Sequence, residues 1–207
     1  MRRKIGALCM ALGFALMCCA GILLWNNRAE DLAAEVSVES VLPQILEQIP
    51  RVAEEENRME QVTPVEFLPP SAFQMTRVEI GGYDYIGYLS IPALELELPI
   101  MADWDYTRLR IAPCRYYGSV NGRNLVLMAH NYASHFGRLP ELQPGDAVLF
   151  TDMDGHTTHY VVEGRDILPP SAVEEMTAGD FDLTLFTCTY GGKSRVTVYC
   201  TRILARE

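Results

Sequence analysis

The stretch Leu183-Thr184-Leu185-Phe186-Thr187-Cys188-Thr189-Tyr190-Gly191-Gly192-Lys193-Ser194-Arg195-Val196-Thr197-Val198-Tyr199-Cys200 decides the fold class. Two runs of β-formers flank Gly191-Gly192, a pair suited to a two-residue hairpin turn. Counting outward from the glycines sets Tyr190 opposite Lys193, Thr189 opposite Ser194 and Cys188 opposite Arg195. Directly opposed residues hold their Cβ atoms about 4.5–5.5 Å apart on one sheet face. Leu183, Leu185, Val196, Val198 and Cys200 share an apolar face that suits a core. Thr184, Phe186, Cys188, Arg195, Thr197 and Tyr199 share the other face, which is mixed and expected to line a groove. A slip of one residue would exchange the two faces, so the alternation fixes the register. Cys188 thus stands on the wetter face beside a fixed positive charge, surroundings that favour the reactive thiolate.

Upstream of this hairpin the chain continues to read as strands. Tyr85 to Pro92 and Leu94 to Ile100 alternate, the first ending at Pro92, with Pro99 at an edge or strand end. Asn124 to Ala129 is continuously apolar, as in a strand buried on both faces, and it ends at His130. Ala147 to Phe150 and Thr157 to Val162 form a second hairpin around Asp154-Gly155, predicted to set Thr151 opposite Thr158 and Asp152 opposite Thr157. Residues 164–180 connect to the final hairpin through Pro169-Pro170 and a helical turn near Ala172 to Met176. Seven or eight short strands without a βαβ rhythm imply an antiparallel sandwich or barrel.

The N-terminal third differs in character. Ile5 to Trp25 is uncharged and long enough to cross a bilayer as a helix. Arg2, Arg3 and Lys4 precede it, so residues 1–4 are expected in the cytoplasm and residues 26–207 outside. A cleaved signal peptide is the rival, but Met17-Cys18-Cys19-Ala20-Gly21 is a poor cleavage site and the apolar run is longer than such leaders need. Residues 26–82 read as an extracellular stalk. Leu32, Val36, Leu42, Ile45, Leu46 and Ile49 recur at helical intervals, Ser40 is placed to cap a second segment with Pro43 in its first turn, and Pro64, Pro69 and Pro70 suggest an extended linker. The folded domain is expected over residues 83–207.

Charge and cysteine usage narrow the function. The formal charge is −10; Arg2, Arg3 and Lys4 contribute +3, leaving −13 on residues 5–207. A surface so acidic argues against nucleic acid as a partner. Of six cysteines, Cys9, Cys18 and Cys19 lie in the apolar run. Cys114, Cys188 and Cys200 are too few and too scattered for a disulfide framework or a zinc site. Cys200 points to the core face, whereas Cys114 follows Pro113 in a loop and is open to either reading. A cysteine nucleophile needs a base and an oxyanion partner. His156 and His159 lie at or after the Asp154-Gly155 turn, where solvated polar residues are expected, and His135 is ambiguous. His130 alone terminates a strong apolar strand. Asp152-Met153-Asp154-Gly155 faintly resembles the start of a calcium loop but lacks its later ligands, so a hairpin turn explains it better. No metal or cofactor is expected.

Leu183-Thr184-Leu185-Phe186-Thr187-Cys188 resembles the TLxTC motif of the sortase family of cell-wall cysteine transpeptidases. His130 at a strand end, Arg195 on the strand after the cysteine and Ile86-Gly87-Tyr88-Leu89-Ser90-Ile91-Pro92 extend the likeness over about Tyr83 to Leu204. The resemblance implies an eight-stranded β-barrel and transpeptidation at a C-terminal sorting signal of secreted surface proteins or pilins. It implies that Cys188 attacks the scissile carbonyl and forms a thioester. His130 would protonate the departing amine and deprotonate the incoming one, and Arg195 would hold the oxyanion or the substrate backbone. Asn131 and Thr187 are supporting candidates. The acceptor would be an amine of a peptidoglycan precursor or a pilin lysine. The residues from His130-Asn131 to Gly145-Asp146, with Thr187-Cys188-Thr189-Tyr190, lean toward class B-like members, although residues 164–180 are short for that class's helix and the interval from Cys188 to Arg195 is short for the family. The rival readings are a membrane-tethered cysteine peptidase or hydrolase and an inactive binding ectodomain.

Overall fold

The computed structural model describes residues 2–50, 75–178 and 180–203, so the Pro64, Pro69 and Pro70 linker lies outside the described residues. Among the described residues nine strands form one sheet: β1 Val78–Ile80, β2 Tyr83–Ile91, β3 Leu96–Met101, β4 Cys114–Tyr117, β5 Leu125–Ala129, β6 Ala147–Asp152, β7 Thr157–Leu168, β8 Leu183–Cys188 and β9 Arg195–Arg202. Their order is β1-β2-β3-β4-β5-β8-β9-β7-β6, and β6 pairs back onto β2. Eight strands therefore close into the expected barrel, with β1 extending one edge of β2 beyond the closure. Closure removes the exposed strand edges that an open sheet would carry. Two of its seams are parallel rather than antiparallel, β3 with β4 and β5 with β8. For β5 and β8 the reason is connectivity: the β6–β7 hairpin is inserted between them, and the chain returns to lay β8 beside β5 in the same direction.

Gly87 makes the closing seam possible. It sits at a positive φ of 144° beside a register shift in β2, and a side chain there would press into the Thr151 backbone on β6. Inside the barrel, alternate residues of every main strand meet, among them Ile86, Leu89, Leu125, Leu127, Phe150, Leu183, Leu185, Val196, Val198 and Cys200. This is the apolar face read from the final hairpin. The other face of that hairpin is mostly covered too. Phe186 packs with Val126 and with Met176 of α2 (Val173–Thr177), Phe181 stacks on Tyr199 with ring centroids 4.5 Å apart, and Thr184 and Thr197 are buried. Of the face expected to line a groove, only the Cys188–Arg195 end is half-buried rather than buried.

Both hairpin turns differ in detail from the two-residue form. Cys188 pairs with Arg195, as counted, and Gly191 and Gly192 take φ of 81° and 70°. The tight turn closes one residue early, however, with Gly192 N–H donating to the Thr189 carbonyl at 2.8 Å. In the β6–β7 hairpin Thr151 pairs with Thr157 and Phe150 with Thr158, one residue off the predicted register. There the Asp152 carboxylate accepts from the N–H groups of Asp154 and His156, at 3.0 and 2.9 Å, which builds a longer turn. A side chain that substitutes for a backbone partner in this way is a common feature of Asp-led turns.

The N-terminal region is one helix, α1, running Arg2–Gln48 through Pro43. It is long and apolar enough to cross a membrane. Ser40 does not cap a second segment; its hydroxyl donates to the Ser37 carbonyl at 2.8 Å. The helix docks on the barrel with a stripe of small and β-branched residues, Ala34, Val38, Val41 and Ile45, which Ile49 continues just past the helix end. Ile45 joins Tyr85, Met101 and Leu109 in a second cluster outside the barrel. Leu32, Val36 and Leu46 lie on the helix's exposed side, at 55%, 63% and 43% exposure.

Candidate active site

Strand pairing alone assembles the site. β5 and β8 run parallel, with Ala129 beside Thr187, so the next residues along each chain are His130 and Cys188. β8 and β9 run antiparallel, with Cys188 beside Arg195. The ends of three neighbouring strands thus present His130, Cys188 and Arg195 in a row, the cysteine central, on strands spaced about 4.8 Å apart. All three are half-buried, and Cys188 is a free thiol. Thr187 stitches the two parallel strands together, its buried hydroxyl donating to the Ala129 carbonyl at 2.8 Å. Arg195 is braced by the turn: Nη1 donates to the carbonyls of Gly192 and Ser194 at 3.2 and 3.1 Å.

The remaining thiols of the barrel are buried, whereas Cys188 is half-buried. Burial pushes Cys114 and Cys200 up to about 12, so neither supplies thiolate near neutrality. The histidines also divide. His130 is pushed below its usual range by burial first and by the Arg110 guanidinium second, with the Glu30 carboxylate pulling the other way. His135 is fully buried, and burial takes it down to about 4. His156 and His159 are exposed on the β6–β7 hairpin, away from the strand ends that carry the cysteine.

The loop after β5 supplies residues that sequence reading passed over. The Tyr132 ring lies 4.9 Å from that of His130, centroid to centroid, and 5.5 Å from that of His135. A cleft of about 680 Å³ opens here, lined on one wall by His130, Asn131 and Tyr132, on the other by Arg28, Glu30 and Asp31 of α1, and at its end by Tyr190. Asn131 therefore faces the cleft, while Cys188 and Arg195 do not line it. The signal for His130 was in the sequence, as a polar residue ending an apolar strand. Nothing local marked Glu30 or Asp31, because their relation to the site exists only once α1 has docked.

A family model for the sortase domain matches residues 89–203. Among solved structures, sortase C1 from Streptococcus suis is 27% identical with a TM-score of 0.51, covering 59% of this chain and 74% of that one. Sortase C from Clostridium perfringens, solved with the C-terminal cell wall sorting motif, is 27% identical with a TM-score of 0.52, covering 58% and 71%. Sortase C-1 from Actinomyces oris is 25% identical with a TM-score of 0.52, covering 57% and 73%. No curated protein sequence matches the chain. The lean toward class B is not repeated by these neighbours, all of them named as sortase C. The short α2, five residues long, agrees with the little room noted before the cysteine strand.

Proposed function

The chain belongs to the sortase family, and from that premise we propose that it is a membrane-anchored cysteine transpeptidase with Cys188, His130 and Arg195 as its catalytic residues. The observation that carries this reading is the row of these three side chains across the ends of β5, β8 and β9. Residues 5–25 anchor it, residues 1–4 stay in the cytoplasm, and the barrel acts outside the cell on the C-terminal sorting signal of a secreted protein. That a C. perfringens relative was solved with such a motif supports the choice of substrate class.

The reaction follows from the residue order. Cys188 sulfur attacks the scissile carbonyl, forming a C–S bond and moving the carbonyl electron pair onto oxygen. Arg195, paired with Cys188 from the neighbouring strand, would supply the cation that the oxyanion needs. As the intermediate collapses, the C–N bond breaks and His130 gives its proton to the departing amine, leaving a thioester. An incoming amine, from a peptidoglycan precursor or a pilin lysine, then attacks the thioester and passes a proton to His130, and the Cys188 thiolate departs. Burial and then Arg110 favour the neutral form of His130, with Glu30 opposing them. The proton that His130 gives to the departing amine comes from the Cys188 thiol, whose sulfur attacks as thiolate.

The test uses the full chain in detergent micelles with sorting-signal peptides, with and without amine acceptors. Cys188→Ala should abolish both the thioester adduct seen by mass spectrometry and product formation. Hydrolysis alone with every acceptor tried would make the protein a hydrolase. Failure of Cys188 to react with a thiol-reactive peptide analogue would leave only a binding role.

A further inference from the structure

We propose that Asp31 and Glu30 of α1 are positioning residues for His130, so that the membrane-borne helix is part of the site and more than a tether. The proposal rests on the functional reading above and assigns a second role to a segment that reading treats as an anchor.

His130 opens a loop braced in part by its own backbone, the His135 N–H donating to the Tyr132 carbonyl at 3.0 Å across the outer arc. The Phe136 N–H donates to the His130 carbonyl at 3.2 Å, and the Gly137 N–H donates to the Tyr132 carbonyl at 2.8 Å. Its outer arc is also held from α1. Asp31 Oδ1 accepts from the Ser134 N–H at 3.1 Å and from the Ser134 hydroxyl at 2.8 Å, and that hydroxyl also reaches the Asp31 carbonyl at 3.3 Å. Bonds to a carboxylate are roughly twice as strong as neutral ones. The Tyr132 hydroxyl donates to Glu30 Oε2 at 3.4 Å, and the same tyrosine packs its ring against His130. Two adjacent helix residues therefore grip the loop on either side of Ala133, one through the backbone of Ser134 and one through the ring that touches the imidazole.

Glu30 also acts on His130 through charge. The groups facing His130 are Glu30 from α1, Arg110 from the 3₁₀ turn Arg108–Arg110, Tyr132 and His135 from its own loop, and Cys188 and Arg195 from β8 and β9, with Arg28 and Asp31 farther along the cleft. Glu30 opposes the depression caused by burial and Arg110. Its carboxylate keeps the imidazolium accessible, which the acid step on the departing amine requires.

Mere docking predicts something different. The stripe that seats α1 on the barrel starts at Ala34, so removing the Asp31 carboxylate leaves the seat intact. The full chain in micelles is compared with Asp31→Ala, Asp31→Asn, Ser134→Ala, Asp31→Ala/Ser134→Ala and Glu30→Gln, with exposed Glu35→Gln as the charge control. The readouts are kcat and KM for peptide against pH, the thermal midpoint, and the His130 titration by NMR. Asp31→Ala and Ser134→Ala should each lower kcat roughly ten- to a hundredfold, the cost of a misplaced group near the chemistry, with KM and the thermal midpoint nearly unchanged. The double variant should be no worse than either single one, because both remove the same interaction. Asp31→Asn, which keeps an acceptor, should fall between. Glu30→Gln should move the His130 titration and the matching limb of the pH profile to lower pH, and Glu35→Gln should move neither. Wild-type kcat in Asp31→Ala and Ser134→Ala, with an unmoved His130 titration in Glu30→Gln, would overturn the proposal. If acyl transfer proves independent of Cys188 the functional reading falls separately, and the His130 titration still decides the role of α1.

Discussion

Helix α1 and the β8–β9 hairpin both border the histidine, but they reach it by different means. The hairpin joins Cys188 to Arg195 across residues 189–194, by backbone pairing that any strand alternation of this kind would enforce. The helix reaches the His130 loop through side-chain contacts between residues 102 and 103 positions apart. A local pairing loses little chain entropy when it forms, and a single slip is punished along the whole strand. A distant contact depends on everything that seats the helix. The difference implies that changes in the hairpin remove chemistry while sparing the fold, whereas changes along α1 act through docking and position.

The sharpest way to break that division is Arg195→Lys. Lysine keeps the charge but loses the planar fork that can serve a turn carbonyl and an oxyanion together. The rate of thioester formation should fall by about 10²- to 10³-fold, the usual effect of losing an oxyanion donor, with the unfolding midpoint unchanged. A near-normal rate would take Arg195 out of the reaction and leave the pairing as mere structure.

The second largest effect should come from the other side of the comparison. Ile45 is fully buried against Tyr85 and Met101, so Ile45→Ala should destabilise the docked chain by about 3 to 4 kcal/mol in urea unfolding. Leu46, its neighbour on the exposed side, should cost under about 0.5 kcal/mol when changed to alanine. Equal losses would mean that α1 seats on a different face.

These two adjacent residues also show what the sequence could and could not disclose. The final hairpin's register and core face follow from period-two alternation, the strand end at His130 from a continuous apolar run, and the choice of barrel over sandwich from the family resemblance. Ile45 and Leu46 both fit a helical pattern, and so did Leu32 and Val36; composition cannot choose which stripe meets a partner. The chosen stripe includes Ala34, whose small side chain lets the helix approach closely, and propensity gives no hint of that. The parallel β5–β8 seam, which sets His130 beside Cys188, was equally invisible, since it depends on a crossover. Extending the β6–β7 turn through Asp152 shifted that register by one residue for a purely local reason, a side chain replacing a backbone partner.

Acid should separate the two regions by a smaller margin. His135 lies fully buried beneath Tyr132, in the loop that α1 grips, while the hairpin carries no histidine. Its pKa is about 4 in the folded chain against about 6.5 when unfolded. The unfolded chain therefore takes up the proton first. The stabilisation is complete above about pH 6.5 and is lost as the pH falls toward 4, amounting to at most about 3 kcal/mol. His130, depressed in the same direction, adds a lesser effect of the same sign. The Asp182 carboxylate is held low by Arg123 and by the Arg202 N–H against the opposing effect of burial, so its contribution fails only at lower pH, below the usual carboxylate range. Urea midpoints measured from pH 7 to 4.5 should thus fall for the native chain and fall less steeply for His135→Gln, whatever that variant's stability at pH 7. Parallel slopes would place the acid sensitivity elsewhere. It would then no longer distinguish the helix side of the cleft from the hairpin.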